Sequence, residues 1–218
     1  MSPATTSTKE RSEWIVRPAC LDDKEMVDNL LQKSYSNLLK DDYDGDLLAV
    51  ALPKITVARE DLLTCGTWYV VEASTTDASS SSSKGLRKQL VGCGGFTLHS
   101  PTKNKSAATN DDEDDEETRA RDVPHLRHFA TDPDFARRGI ASAIWNRTWN
   151  DLCHYYSATD GDDNTMSFPP AMEVYSTLTA ESFYASLGFR TIKETLIPLS
   201  DDCLFPALLM KRETTHIP

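Results

Sequence analysis

Short runs of hydrophobic, β-branched and aromatic residues alternate with polar stretches along this chain of 218 residues. Runs of this kind, bounded by turn-forming residues, predict β-strands. The predicted strands lie at 14–19, 67–72, 90–98, 125–131, 172–177, 189–198 and 203–211. The second and third follow each other without a helix between them, which indicates a hairpin with a lengthened turn.

Apolar residues that recur every three or four positions predict helices between several of these strands. The predicted helices run from the Asp22–Asp23 pair, which can cap the first, to about residue 38, and over about 44–52, 139–155 and 179–187. Pro53 is expected to end the second helix, because proline lacks the N–H that a helix interior needs. Gly188 suits the left-handed position that follows a helix. The order β-α-α-β-β-β-α-β-α-β-β predicts a mixed α/β (α+β) domain.

Three polar segments are predicted to lie outside the packed core. Residues 75–85 are rich in serine, and residues 100–122 contain seven consecutive acidic residues at 111–117. Neither segment has enough apolar area to offset the entropy lost on ordering, so both are predicted to be disordered insertions. Residues 1–12 are predicted to be a flexible N-terminus, and 13–213 a single domain.

The acidic run also accounts for most of the net charge of −11, which would be −4 without it. Two interpretations of the run stay open: a solvated loop that aids solubility, and a docking segment for a basic protein. The chain has no basic stripe and no long apolar run, so neither a nucleic acid nor a membrane is expected as a partner. Five scattered cysteines without a CxxC pair, and the absence of a signal-like start, favour a cytoplasmic location.

Residues 129–142 follow the pattern of a strand, a short loop and a helix. Such a unit directs unpaired backbone N–H groups and the positive end of the helix dipole at one point, which is typical of a phosphate site. Gly139 would let the backbone approach the anion without a Cβ in the way, and Ala141 would leave the second contact nearly as open. Arg137 and Arg138 would add positive charge. An ordinary structural turn is the alternative.

A second glycine cluster, Gly92, Gly94 and Gly95, lies inside a predicted strand that no helix follows. It therefore lacks the pattern of a dinucleotide-binding loop. We interpret this cluster as a β-bulge or a close backbone contact.

Residues 132–141, with the sequence DPDFARRGIA, resemble the acetyl-CoA pyrophosphate loop of the GNAT N-acetyltransferase superfamily. That family's pattern is Gln/Arg-x-x-Gly-x-Gly/Ala, preceded by a strand and a proline. Gly139 and Ala141 match its two small positions. Ala136 stands where the family has Gln or Arg, which weakens the side-chain part of phosphate binding and leaves the backbone part intact.

Two further segments carry the same resemblance. Residues 178–189 resemble the family's late helix, in which Tyr184 comes four residues before Gly188, and residues 15–19 resemble its opening strand. The resemblance covers about residues 13–213 without the two insertions. It implies a GNAT-like twisted sheet of about six to seven mostly antiparallel strands, flanked by about four helices, with a central splayed pair of parallel strands.

The resemblance also implies acetyl-CoA as the cosubstrate, held between the strands 125–131 and 172–177. The first strand would pair with the pantetheine arm, and the N–H groups of the loop would bind the pyrophosphate. The implied cofactor-binding residues are Phe129, Ala130, Thr131, Arg137, Arg138, Gly139, Ile140, Ala141 and Ser142. The implied reaction moves the acetyl group to a primary amine by direct attack in a ternary complex.

Two residues become candidates for catalysis through the same resemblance. Tyr184 matches the family's general acid, which protonates the departing thiolate, although its place beside Phe183 and Leu187 also suits a packing role. His125 matches a histidine that some arylalkylamine members use in a water-linked proton path, and a structural strand histidine is the alternative.

The remaining histidines and cysteines are weaker candidates for chemistry. Strand alternation places His128 on the opposite face from His125. His125, His128, Cys153 and His154 have no recognised metal-ligand spacing, so no metal is expected.

Two further functions stay open at this stage. One is a non-catalytic module that binds acyl-CoA as a sensor, which the departure at Ala136 favours slightly. The other is an acetyltransferase that modifies protein lysines or N-termini. The sequence does not decide the amine acceptor, or whether the chain is a monomer or a homodimer.

Overall fold

The computed structural model describes residues 14–76, 86–98, 123–159, 168–169 and 171–214. The predicted flexible N-terminus and nearly all of the two predicted insertions lie outside the described residues, so those predictions stay predictions. Residues 75 and 76, which were expected in the first insertion, belong instead to the end of a strand.

The described chain forms seven strands and five α-helices. The strands are β1 (Trp14–Pro18), β2 (Trp68–Thr76), β3 (Leu86–Thr97), β4 (His125–Thr131), β5 (Ala171–Ser176), β6 (Arg190–Ser200) and β7 (Cys203–Glu213). The helices are α1 (Lys24–Leu38), α2 (Gly45–Ile55), α3 (Glu60–Thr64), α4 (Ile140–Thr159) and α5 (Glu181–Ser186). Short 3₁₀ turns precede three of the helices, at Leu21–Asp23, Pro133–Phe135 and Leu178–Ala180.

All seven strands form one sheet in the order β1-β2-β3-β4-β5-β7-β6. Neighbouring strands are antiparallel except for β4 and β5, which are parallel and lie near the centre. The predicted hairpin of β2 and β3 is confirmed, as is the mixed, mostly antiparallel α/β fold with a central parallel pair.

Helices pack on both faces of this sheet, and β2 shows how the two faces are divided. Val70 packs with apolar residues of α1 and α3. Its neighbour Val71 packs with Ile140 and Ile144 of α4. Since successive strand residues point to opposite faces, α1 and α3 cover one face and α4 covers the other. The α5 residue Tyr184 shares a cluster with Trp145 and Leu152 of α4 and so lies on the α4 face.

The helices differ from the prediction at two places. Helix α2 does not end at Pro53 but continues to Ile55, and Thr56 N still donates to Leu52 O over 3.0 Å. Leu52 and Ile55 pack against an apolar cluster that includes Phe205 of β7, which favours this last turn. Helix α3 was not predicted, because its five residues are too short for a periodic pattern.

The expected cap of the first helix is also different. Asp23 makes no side-chain cap to α1. Its buried carboxylate instead accepts two hydrogen bonds of 2.7 Å from Arg17 and one of 2.9 Å from Cys20 N. Arg17 also donates to Glu72 over 2.7 Å. Asp23 therefore ties the opening of α1 to strands β1 and β2.

No helix among the described residues is both long and apolar enough to cross a bilayer.

Candidate active site

The parallel strands β4 and β5 are paired at only one end. Their register includes His125 with Glu173 and Leu126 with Val174, whereas β4 continues to Thr131 and β5 to Ser176. A gap therefore opens between the two strands toward their C-terminal ends. Within the described part of the chain, no strand pairs with the gap-facing edge of residues 129–131.

A β-bulge in β4 lies beside this gap. Cys93 pairs with Ala130 and Gly95 pairs with Arg127, so two residues of β4 face Gly94 alone. A Cβ at Gly94 would lie 2.7 Å from the ring of Phe129, and a Cβ at Gly95 would lie 2.3 Å from the carbonyl oxygen of Thr67. The interpretation of the glycine cluster as a bulge with close backbone contacts is confirmed.

The loop after β4 leads into a helix N-terminus with free donors. Asp132 caps the 3₁₀ turn by accepting from Asp134 N over 2.9 Å. Ala143 N donates to Gly139 O over 2.9 Å at the start of α4. The N–H groups of residues 140–142 consequently have no acceptor within the helix, and they lie at the positive end of its dipole.

The structure adds a backbone reason for glycine at position 139, and the predicted role of the missing Cβ in the approach to an anion stays a prediction. A Cβ at Gly139 would meet no atom within 4 Å, so close packing does not require its absence. The backbone there has φ +88°, and Arg137 has φ +62°, both in the left-handed region. Glycine adopts that region without the penalty of other residues. Gly139 therefore matters for the turn that aims the N–H groups.

The start of α4 is held tightly against the sheet. Ile140 is 1% exposed and packs with Val71, Val91 and Ile144. A Cβ at Gly92 would lie 2.4 Å from Cγ2 of Ile140, so glycine on β3 allows the helix to approach this closely. The helix N-terminus is therefore a rigid feature beside the gap.

The charges around the loop come from two sources. Arg137 and Arg138 are exposed, and the guanidinium of Arg138 lies 4.9 Å from the centre of the Phe135 ring. Lys33 of α1 is the second source of charge, and its Nζ lies 2.7 Å from Asp132 and 2.6 Å from Asp134. Hydrogen bonds to Asp132 and then Asp134 raise the pKa of the Lys33 ammonium. Sequence analysis missed Lys33, which is 99 residues from Asp132.

Tyr184 lies beside the gap, in contact with β4. Its side chain is buried, and its ring lies 6.2 Å from that of Phe129 and 5.8 Å from that of Phe189. Burial raises the pKa of the phenol above its ordinary value. The hydroxyl therefore stays protonated near neutral pH and keeps a proton that it can give to a leaving group.

A second tyrosine approaches Tyr184 from the other face of the sheet. Burial raises the pKa of Tyr35 on α1, and the nearby Cys93 and Tyr184 raise it further. Tyr35 therefore lies close enough to Tyr184 for their electrostatic environments to be linked. The local sequence around Tyr35 has only the apolar spacing of a helix, so it does not indicate that this residue lies near Tyr184.

His125 lies at the closed end of the gap. It is 1% exposed, although it is the first residue of the strand, so solvent does not reach its side chain. Its Nε2 lies 2.9 Å from Oε2 of Glu173, and its ring centre lies 5.5 Å from that of Tyr175. Burial lowers the pKa of the imidazole, and the charge of Glu173 opposes that shift. The histidine is therefore neutral near pH 7.

His128 differs from His125 in backbone and environment. It has φ +48° within the bulge. Burial, with the charges of Arg127 and Arg59, lowers its pKa to about 4. The described residues hold no group of three or more His, Cys, Asp or Glu side chains arranged to bind a metal ion.

The predicted site residues therefore form two groups, one beside the open end of the gap and one at its closed end. The residues proposed for the cofactor, Phe129 to Thr131 and Arg137 to Ser142, lie beside the open end of the gap, where Tyr184 contacts Phe129. His125 lies four residues before Phe129, which is roughly 13 Å along an extended strand. A water-linked path is the kind of connection that such a separation permits.

Residues 117–197 match the family model described as "Acetyltransferase (GNAT) domain". None of the curated proteins compared with the chain matches it in sequence.

Solved structures with the same fold include a GCN5-related N-acetyltransferase from Rhodopseudomonas palustris, with 12% identity, a TM-score of 0.57, and coverage of 92% of this chain and 95% of that one. The PaiA N-acetyltransferase from Thermoplasma acidophilum, in complex with coenzyme A, has 11% identity, a TM-score of 0.53, and coverage of 93% and 99%. A GNAT acetyltransferase from Staphylococcus aureus has 13% identity, a TM-score of 0.50, and coverage of 93% and 100%.

Proposed function

Because the chain belongs to the GNAT superfamily, we propose that it is an acetyl-CoA-dependent N-acetyltransferase that modifies a primary amine. The observation that carries this proposal is the helix N-terminus of α4 beside the gap between β4 and β5. The free N–H groups of residues 140–142 would bind the pyrophosphate. The unpaired edge of residues 129–131 would accept the amide groups of the pantetheine arm.

Likeness to the Thermoplasma acidophilum protein supports the choice of cofactor, because that protein is in complex with coenzyme A and shares this fold. The backbone site explains how Ala136 is tolerated where the family pattern has Gln or Arg. N–H groups at a helix start bind phosphate without a side chain. Arg137 and Arg138 add cations at the rim.

The proposed reaction is direct attack in a ternary complex. An alkylamine has a reference pKa near 10.4, so the acceptor must lose a proton before its lone pair can attack the thioester carbon. His125 would take that proton through water. As the C–S bond breaks, the thiolate would take the hydroxyl proton of Tyr184, whose ring lies 6.2 Å from that of Phe129. The amide nitrogen then loses its second proton, which would restore the Tyr184 phenol, and the products are the acetylated amine and CoA.

The proposal is tested by mixing the purified chain with acetyl-CoA and a panel of small primary amines and of peptides with free N-termini or lysines. Free thiol should rise with at least one acceptor, and mass spectrometry should show a gain of one acetyl group on it. Acetyl-CoA binding without thiol release would favour the sensor alternative, for which Ala136 is the motivating departure. No binding by calorimetry would overturn the cofactor site as well.

The nature of the acceptor and a cytoplasmic location stay predictions. The peptide arms of the panel separate protein modification from acetylation of small amines.

A further inference from the structure

Glu173 of β5 lies directly opposite His125 of β4, in a residue pair that joins the two parallel strands. Oε2 of Glu173 lies 2.9 Å from Nε2 of His125. The other ring nitrogen, Nδ1, is buried and has no hydrogen-bond partner in the part of the chain that the structure describes. A buried polar atom without a partner is uncommon and calls for a physical reason.

The pair lies on the sheet face that α1 and α3 cover. Leu126, Met172 and Val174 belong to the apolar cluster under α4 and α5. By strand alternation, His125 and Glu173 therefore point to the opposite face. That face is separate from the one that carries Tyr184, so a base and an acid would approach the gap from opposite sides.

Resting on the acetyltransferase function proposed above, we propose that Glu173 is a positioning residue that fixes the proton-accepting nitrogen of His125. Its carboxylate accepts from Nε2–H and so selects that tautomer. A neutral imidazole has one donor and one acceptor, so the lone pair then lies on Nδ1. Nδ1 is the atom that would take the proton of the acceptor amine.

The proton balance of the step is simple. The ammonium N–H bond breaks and an Nδ1–H bond forms, with the proton passed along the water-linked path between the two nitrogens. The freed lone pair attacks the thioester carbon, and Glu173 forms no covalent bond and keeps its charge. Glu173 then stabilises the imidazolium until the proton leaves His125 along the same water-linked path. A water or an amine at Nδ1 would also satisfy this orphan acceptor.

The charged groups around the pair set the expected pH behaviour. Arg127 on β4 lowers the pKa of His125, as burial does, whereas Glu173 raises it. Lys211 of β7 is the strand partner of Glu173, and its Nζ is engaged 3.1 Å from Glu213. The ring of Tyr175 of β5 lies tilted beside the imidazole, and Thr97 of β3 pairs with His125 in register. Glu173 is therefore the group whose removal should lower the pKa of His125.

The test is Glu173→Gln, which keeps the shape and removes the charge. We expect kcat to fall by about tenfold or more, since an amide can donate to Nε2 and place the proton on Nδ1. The acidic limb of kcat/KM should move down by about one pH unit, because a close opposite charge has been removed. Acetyl-CoA affinity should change less than about threefold. Glu194→Gln, on the exposed strand β6, is the matched control and should change none of these quantities.

Nitrogen NMR of the histidine rings tests the dyad independently of turnover. In the wild-type chain the proton of neutral His125 should be on Nε2, and in the Glu173→Gln variant the tautomers should mix. A wild-type proton on Nδ1 would overturn the dyad even if the variant did not fold. An unchanged pH profile and kcat in a folded variant would do the same. A wild type that binds acetyl-CoA but turns over no acceptor would instead remove the proposed function, and the base role with it.

Discussion

Lys33 of α1 and Asp132 at the end of β4 form an ion pair with 2.7 Å between Nζ and Oδ1. The carboxylate is 2% exposed and the lysine side chain 41%. Asp132 also accepts from Gln89 Nε2 and from Asp134 N, each over 2.9 Å. One buried carboxylate thus connects α1, β3 and the loop that leads into α4.

Lys33→Met should destabilise the chain by about 1 kcal/mol, because Asp132 keeps its other donors and solvent screens the half-exposed lysine. That loss corresponds to a fall of roughly 2–4 °C in Tm. Lys40→Met, at an exposed position just after α1, is the control. Thermal melts of the two variants decide the matter, and equal Tm values would show that the ion pair does not support the loop.

Gly139→Glu should weaken acetyl-CoA binding by more than about tenfold, or 1.4 kcal/mol. The new carboxylate would lie where the helix dipole attracts the pyrophosphate. Gly66→Glu is a matched control, because Gly66 has φ +76° and, like Gly139, open space at its Cβ position. Both variants pay the same backbone strain, so calorimetry should show lost affinity only for Gly139→Glu. Equal acetyl-CoA affinities of the two variants would show that the pyrophosphate binds elsewhere.

Tyr184→Phe should lower kcat by about 10²–10⁴-fold while acetyl-CoA affinity shifts less than about threefold. Tyr69→Phe is the control, since it loses a hydrogen bond of 2.6 Å to Asp151. That variant should lose about 1 kcal/mol of stability and keep its kcat. Normal turnover in Tyr184→Phe, with chemistry shown to be rate-limiting, would leave Tyr184 a packing residue.

The pH dependence of the same reaction gives a separate check on Tyr184. Burial raises the pKa of its phenol, so the proton stays in place throughout the mildly alkaline range. Turnover should therefore show no descending limb from a tyrosine below about pH 10, the ordinary value. A limb near pH 8 that disappears in Tyr184→Phe would contradict this environment.

His128 should make the fold less stable in acid. Its pKa is about 4 in the folded chain, whereas an unfolded histidine has the ordinary value of 6.5. The unfolded state therefore binds a proton that the folded state does not, and stability falls as pH falls from 6.5 toward 4. The full shift corresponds to on the order of 3 kcal/mol.

His128→Asn should reduce this loss, and asparagine tolerates the left-handed φ of +48°. Urea unfolding of both chains at several pH values measures it. His154→Asn, at an exposed position of α4, is the control and should follow the wild-type curve. If all three chains lose stability in parallel, other groups carry the acid dependence.

Local patterns were sufficient for most of the fold. The bounds of β4 agree with prediction because turn-forming residues lie at both ends, Pro124 before the strand and Asp132 with Pro133 after it. Strands β2 and β3 extend beyond their predicted ends into the polar residues of the hairpin, where strand pairing replaces apolar content. At Pro53 the local signal was misleading, since packing of α2 against β7 outweighs the tendency of proline to end a helix.

The candidate site was less accessible to sequence analysis. The loop around Gly139 was visible because its donors come from neighbouring residues. The partner of His125 is Glu173, 48 residues away, and only the parallel register of β4 and β5 brings them together. Lys33 lies near Asp132 and Tyr35 lies near Tyr184. The apolar spacing of helix α1 indicates neither of these pairs.

The unequal pairing within the sheet has a mechanical consequence. Strands β1 to β4 form one antiparallel panel and β5 to β7 another, and the described register between them includes just two residue pairs. Parallel pairs are also slightly weaker per residue than antiparallel ones. Under a pulling force applied across the sheet, the pairing between β4 and β5 should break before the antiparallel pairing within either panel. A molecule bound between β4 and β5 would contact both panels and raise the force needed to separate them.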